Sequence, residues 1–260
     1  MKAMRKFLIY SERYRAAFVT AIVMIVSCGT AVASASSRDY AEVKVKAERF
    51  FQFKEWPNAA AMYELMLEDS AKVADTYCHA IVAAAMRDMP DYEMSLMERA
   101  QQNLIPVDTI FAGVRRVSFS IGHTSLYENF LNLVKERQPW LKRSIEKQLL
   151  GYYIFRRNAP RIIEYSKIML SGAPGNRQYM YDLAQGYLLD GQAGEGIATF
   201  KKILEKHPDD YESLLVLGNY YADNGQDAVA LEYLKRAYAI KPTPYVKKLI
   251  ERFEPPRHRR

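Results

Sequence analysis

The feature that most constrains this chain is its repetition of its own sequence every 34 residues. Leu183-Ala-Gln-Gly-Tyr187 returns as Leu217-Gly-Asn-Tyr-Tyr221, Asp190-Gly191-Gln192 returns as Asn224-Gly225-Gln226, and Pro208 returns as Pro242. A unit of this length is one supersecondary element that cannot bury its own apolar face, so copies must stack. The spacing within the unit predicts two antiparallel helices. Leu183, Tyr187 and Phe200, and in the next unit Leu217, Tyr221 and Leu234, fall on their facing stripes. Small residues at Gly218 and Ala230 let the helix axes approach, where a large side chain would overpack. Gly191 and Gly225 follow the first helix, where a left-handed residue closes a helix without a Cβ penalty. Pro208 and Pro242 cannot continue a helix and end the second one.

Weaker copies extend toward the N-terminus. Residues 143–176 carry Leu149, Tyr153 and Pro174; residues 108–141 carry Val114, Gly122 and Pro139. Residues 74–107 carry Tyr77, Ala84, Met97 and Ala100; residues 40–73 carry Ala47, Phe50, Trp56, Ala59 and Tyr63. Six units are thus expected, at 40–73, 74–107, 108–141, 143–176, 177–210 and 211–244. Residues 245–254 follow, with Val246, Leu249, Ile250 and Phe253 on one helical face, and are expected to cap the open end of the stack. The basic tail 255–260 is expected to be disordered.

This pattern resembles the tetratricopeptide (TPR) repeat. Leu217-Gly218, Tyr221, Ala230 and Pro242 match its slots, with Leu214 in place of the usual Trp and Leu234 in place of the usual Phe. Leu183, Ala184, Tyr187, Gly196, Phe200 and Pro208 fill the same slots one unit earlier. The resemblance implies an all-α fold, a right-handed solenoid of antiparallel helix pairs with a C-terminal capping helix. It also implies a concave groove lined by five positions of each first helix. In the last unit these are Glu212, Leu215, Asn219, Ala222 and Asp223, and in the unit before Gln178, Tyr181, Gln185, Leu188 and Leu189. Earlier units supply Lys147, Arg116 and Lys44. Such a groove of Tyr, Gln, Asn and isolated cations suits an extended peptide or a helix of another protein. The alternative is that these are ordinary wall residues and a partner docks on the convex face. TPR proteins that bind chaperone tails use a Lys/Asn carboxylate clamp; Lys147 matches its Lys, but Gly151 stands where Asn is needed, so that activity does not carry over.

The N-terminus reads as a targeting segment. Residues 1–27 hold five basic residues (Lys2, Arg5, Lys6, Arg13, Arg15) and one acid, Glu12, with an uncharged apolar run from Ala16 to Val26. A basic start, an apolar stretch and small residues beyond it are the layout of a secretory signal. Three readings stand. Ile25-Val26-Ser27-Cys28 resembles a bacterial lipobox, which makes Cys28 the candidate lipidation site and membrane anchor. Ala31-Val32-Ala33 and Ala33-Ser34-Ala35 resemble ordinary cleavage sites that release a soluble periplasmic protein. An uncleaved anchor is the third, although the apolar run is shorter than the ~20 residues a span needs. Residues 28–39 then form a linker. Export to the periplasm or a bacterial cell-envelope membrane is the expectation in each case.

The same segment explains the charge. The formal net charge is +7, and without residues 1–27 it falls to +3, the value of Arg257, Arg259 and Arg260 in the tail. The repeat body is near neutral, so no nucleic-acid partner is expected. The short clusters Arg115-Arg116, Lys142-Arg143 and Arg156-Arg157 read as solvated helix surface, or as a site for an acidic peptide or lipid headgroups.

No catalytic or metal constellation is apparent. His79, His123, His207 and His258 are isolated, apart from the adjacent Cys78-His79, which point ~100° apart on a helix. Gly191, Gly194 and Gly196 lack the Lys-Ser or Lys-Thr and the preceding strand of a phosphate cradle. Asp209-Asp210 sit at a repeat boundary, where acids favour a helix N-terminus. The chain is therefore expected to be no enzyme and to need no metal or cofactor.

Overall fold

The computed structural model describes residues 39–253. The export segment, Cys28, most of the linker and the basic tail lie outside the described residues. Within them are thirteen α-helices, one short 3-10 turn and no strand. Six helix pairs follow one another: α1 (Tyr40–Gln52) with α2 (Trp56–Asp69), α3 (Ala74–Ala85) with α4 (Pro90–Gln102), and α5 (Val107–Ser120) with α6 (Ser125–Arg137). Then come α7 (Lys142–Arg156) with α8 (Ala159–Gly172), α9 (Arg177–Leu189) with α10 (Ala193–Lys206), and α11 (Tyr211–Asp223) with α12 (Asp227–Ile240). A final helix, α13 (Pro244–Phe253), stands alone at the C-terminal end. The fold is an all-α solenoid.

Residues 44–253 belong to one compact unit, distinct from the unit that ends at Val43. From α2 on, each helix packs on the next except across the α4–α5 step, where instead α3 packs on α5 and α4 on α6. Contacts between equivalent helices of successive pairs are what distinguish a stack from a string of hairpins. None of the described helices is long and apolar enough to cross a membrane.

The helix ends follow from local chemistry. Proline opens the first turn of α2, α4 and α8, where its missing N–H would have no partner anyway. Side-chain oxygens of Asn158, Asn176 and Asp210 accept the orphan N–H groups of Arg161, Tyr179 and Ser213. Between the two helices of every pair the chain makes the same turn, with one residue at positive φ. These residues are Lys54, Asp88, Gly122, Arg157, Gly191 and Gly225. After Gly225 the Gln226 N–H donates to the Tyr221 carbonyl at 2.8 Å, and after Arg157 the Asn158 N–H donates to the Tyr153 carbonyl at 3.0 Å.

The core is continuous along the stack. In α3, Tyr77, Cys78 and Ala80 to Ala84 are all buried. At the C-terminal end one cluster joins Met180, Ala184, Phe200, Ile203, Leu214, Leu217, Leu234 and Ala237 to Val246 and Ile250 of α13. The last helix thus closes a core that two hairpins share.

The sequence-predicted packing residues do not carry equal weight. Phe200, Leu217, Ala230 and Leu234 are fully buried. Leu183, Tyr187 and Tyr221 are only half-buried, because they lie toward the flank of the first helix, where the aromatic rings take cations and other rings. The Lys167 ammonium sits 5.3 Å from the Tyr187 ring centre, and Tyr221 stacks on Tyr233 at 5.7 Å with Lys201 at 5.5 Å. Phe200→Ala is therefore expected to cost about 3–5 kcal/mol and Tyr221→Ala distinctly less. Chemical denaturation of the two variants checks this, and an equal loss would contradict the burial difference.

Candidate functional site

The expected groove residues separate into two groups. On α9, Gln178, Tyr181, Asp182 and Gln185 share one face, as i, i+3, i+4 and i+7 positions must. The Gln178 amide donates to Asp182 at 2.9 Å. Tyr181 stands edge-on to Phe200 at 5.5 Å. Burial raises its phenol above the usual tyrosine range, with Glu212 and Asp210 adding to the effect. Burial likewise raises the Asp182 carboxyl, against the opposing Gln178 bond. Leu215 packs part-buried on the shared core, and Asn219 is half-buried one turn further along α11.

Arg116 and Lys147 lie apart, on α5 and α7. Arg116 is not an unpaired groove cation, for its guanidinium binds Asp75 of α3. Lys147 is exposed. The two expected cations thus differ: one ties neighbouring hairpins together, and the other remains open to solvent.

An aromatic cluster stands beside them that inspection of the last two units alone did not reveal. Phe155 of α7 packs on Phe119 of α5 with ring centres 4.8 Å apart, and Phe119 also meets Tyr152 at 6.4 Å. Phe155 remains 55% exposed and its neighbour Ile154 41% exposed. The Arg115 guanidinium lies 5.3 Å from the Phe119 ring centre, within cation–π reach. Arg156 donates to the Thr124 hydroxyl at 3.3 Å. The signal was present in the sequence. Phe119, Ile154 and Phe155 occupy, in the two middle units, the positions that Leu188 and Leu189 occupy in the fifth.

A second missed feature is an open cleft of about 490 Å³ at the start of α11, lined by Arg177, Lys206, His207, Pro208, Asp209, Asp210, Tyr211 and Glu212. Arg177 spans it, binding Asp210 and, at 2.6 Å, Glu212. Burial alone would raise the Asp210 carboxyl. The Arg177 bond and the Ser213 N–H overcome that and hold it below the usual aspartate range. The Asp210-x-x-Ser213 spacing is a capping signature that sequence can show. The distant Arg177 it also binds is not local and cannot be read that way.

The histidines do not converge. The His79 Nδ1–H donates to the Asp75 backbone carbonyl of its own helix at 2.9 Å, and the ring packs on Phe51 at 5.1 Å. Cys78 is buried against Gly113, and burial pushes its thiol up to about 12, a neutral packing group and not a nucleophile. Among the described residues no three His, Cys, Asp or Glu side chains gather as metal ligands would.

No family model matches the chain. A 62-residue stretch, 24% of the chain, is 37% identical to the Protein CTR9 homolog of Arabidopsis thaliana, and the match spans 6% of that protein's length. Among solved structures, the C-terminal part of a TPR repeat-containing protein from Cytophaga hutchinsonii is 16% identical. That likeness covers 76% of this chain and 78% of the other, with a TM-score of 0.46. The Naa15/Naa10 complex bound to HypK-THB gives 16% identity, 82% and 33% coverage and a TM-score of 0.47. Pseudomonas aeruginosa pilF gives 11% identity, 82% and 96% coverage and a TM-score of 0.44.

The Arg177–Asp210 pair yields a pH prediction. Because the folded Asp210 carboxyl is lowered, its contribution is present above the usual aspartate range and lost as pH falls through the folded value. Arg177→Met is expected to cost about 1–3 kcal/mol near neutrality. The melting-temperature gap between wild type and variant should narrow on acidification. A gap independent of pH would show that the pair does not stabilise the α9–α11 junction.

Proposed function

We propose that this chain is a non-catalytic protein-interaction scaffold that binds peptide or helical segments of partner proteins along its first helices. The observation that carries this reading is the Phe119–Phe155 pair, in which Phe155 is exposed with exposed Ile154 beside it. Contiguous exposed apolar surface rimmed by polar groups marks interaction sites, and aromatic residues with arginine supply most of the binding energy at such sites. The row Gln178, Tyr181 and Gln185 on α9, with Leu215 and Asn219 on α11, adds amide and aromatic contacts of the kind an extended segment needs.

The scaffold is exported in this reading and held at a bacterial envelope membrane by lipid on Cys28. The basic n-region, the apolar run and the Ile25-Val26-Ser27-Cys28 tetrapeptide support it. A soluble periplasmic receptor or regulator is the second reading, supported by the small-residue sites at Ala33 and Ala35.

Two measurements test this. A photo-crosslinking residue placed at Phe155 or Gln185 should give adducts with a partner in envelope fractions, and one at the exposed Lys202 of α10 should not. Adducts from Lys202 alone would sink the groove reading. Cys28→Ala should abolish labelling by a metabolic acyl chain. Full labelling of that variant, or a mature N-terminus after Ala33 or Ala35 by mass spectrometry, would replace the anchored form with the soluble one.

A further inference from the structure

Away from the first helices, a small cavity opens where α3 turns into α4 and the outer face of α6 covers it. Its volume is about 150 Å³, and its walls are Ala85, Asp88, Pro90, Glu93, Leu126, Asn129 and Leu133. Leu126, Asn129 and Leu133 are i, i+3 and i+7 on α6, so one face of that helix supplies the far wall. An apolar cavity of ~150 Å³ admits a benzene-sized molecule, so a branchless side chain of four or five heavy atoms fits.

Glu93 is the anomaly in it. The residue is only 7% exposed, yet among the described residues its carboxylate has no hydrogen-bond or ion-pair partner. A buried carboxylate is ordinarily paired. Arg137 of α6 does not serve it, because its guanidinium binds Asp91 of α4 at 3.1 Å. The other charged group on the cavity wall, Asp88 in the turn, is also an acid, and α6 contributes no titratable side chain to the lining. Burial first, and Asp88 second, raise Glu93 to about 7. The fold therefore holds a mostly buried carboxyl, without a partner among the described side chains, beside an apolar wall.

We propose that this cavity is a socket for one lysine side chain of a partner protein, whose ammonium head meets Glu93 and Asp88 and whose alkyl stem lies along Leu126, Leu133 and Ala85. The chemistry is complementary at each point. A cation supplies the donors that Glu93 lacks, Asn129 offers its carbonyl oxygen, and the stem replaces water on the leucine face. Apart from Ala85 at the end of α3, the socket is formed by the second helices α4 and α6 and the α3–α4 turn, and it shares no residue with the first-helix row of rings and amides. This inference rests on the scaffold reading and adds a partner chemistry to it.

The test uses the full chain and simple probes, followed by the methyl signals of Leu126 and Leu133. At about pH 8, above the Glu93 value of about 7, n-butylammonium and N-acetyl-lysine N-methylamide should shift those signals saturably, and 1-pentanol should not. Glu93→Gln should weaken the binding by about tenfold or more, as should lowering the pH to about 5.5, where the carboxyl is protonated. The fold control is built in. A raised carboxyl favours the folded state at low pH, and that advantage is lost as pH rises through about 7. Glu93→Gln should therefore melt at or above the wild-type temperature at about pH 8. Equal shifts from 1-pentanol, unchanged binding in Glu93→Gln, or no saturable shift from either cation would overturn the socket. Tighter binding of butylammonium than of the lysine amide would overturn the protein source in favour of a free amine. Phe155→Ala should leave probe binding unchanged, so a failure of the groove reading shows in the crosslinks while the socket still binds.

Discussion

How closely neighbouring helices approach decides most of this fold. At Gly113, Gly186, Gly196 and Gly218 an apolar or thiol side chain of a neighbouring helix fills the place of the missing Cβ. A Cβ on Gly218 would lie 2.8 Å from the Leu234 side chain, and one on Gly196 would lie 2.8 Å from Leu188; both contacts are within a helix pair. A Cβ on Gly113 would lie 2.2 Å from the Cys78 sulfur, and one on Gly186 would lie 2.9 Å from Ile162; both contacts are between pairs. The same device therefore sets the spacing inside hairpins and the spacing between them. Polar links reinforce the second kind. Arg99 reaches Glu64 at 2.8 Å, Ser144 reaches Asp108 at 3.2 Å, and Gln101 and Gln138 exchange amide bonds at 2.8 and 3.0 Å. Each of these joins residues about one repeat apart, so the stack is keyed by contacts that no single hairpin can make.

The helical solenoid was legible in sequence because its period, its small residues and its prolines all record backbone constraints. Legibility faded toward the N-terminus for an identifiable reason. The positive-φ turn persists in every pair, yet glycine marks it only at Gly122, Gly191 and Gly225. Lys54, Asp88 and Arg157 hold the same left-handed conformation with a side chain, at about 1–2 kcal/mol each. The helix packing on either side compensates, so the geometry is kept where the sequence signal is gone. Tertiary context also separated residues that look alike. Phe200 and Tyr187 both fill apolar slots of one unit, but one is enclosed by α9 and α11 and the other rests against the Lys167 ammonium.

The candidate site was less legible, because its features join residues that are distant in sequence. The α9 row could be seen, since Gln178, Tyr181 and Gln185 share a helix face. The Asp75 partner of Arg116 lies two helices earlier, and nothing in the Arg115-Arg116 doublet indicates that one cation is taken and the other lies over a ring. Phe119 and Phe155 are separated by a full unit and become a pair only when α5 and α7 stand side by side. Glu93 is harder still. In sequence it is one of two acids, with Asp91, in the first turn of a helix, an ordinary place for a carboxylate, and only α6 lying over it turns it into a mostly buried carboxyl without a partner among the described side chains.

These features divide between the two kinds of helix. The aromatic and amide row is on first helices, and the acidic cavity is mostly on the second helices α4 and α6 and the α3–α4 turn. A stack that fixes both on one scaffold sets the distance between an aromatic contact and a basic-side-chain contact before any partner arrives. A segment that satisfies both gains from the second contact as an intramolecular event, without the association cost of a separate binding step. A segment that satisfies only one does not. Under the proposed reading, selectivity would come from the spacing between two modest sites, and the close approach of α5 to α3 at Gly113 holds together two of the helices that set it.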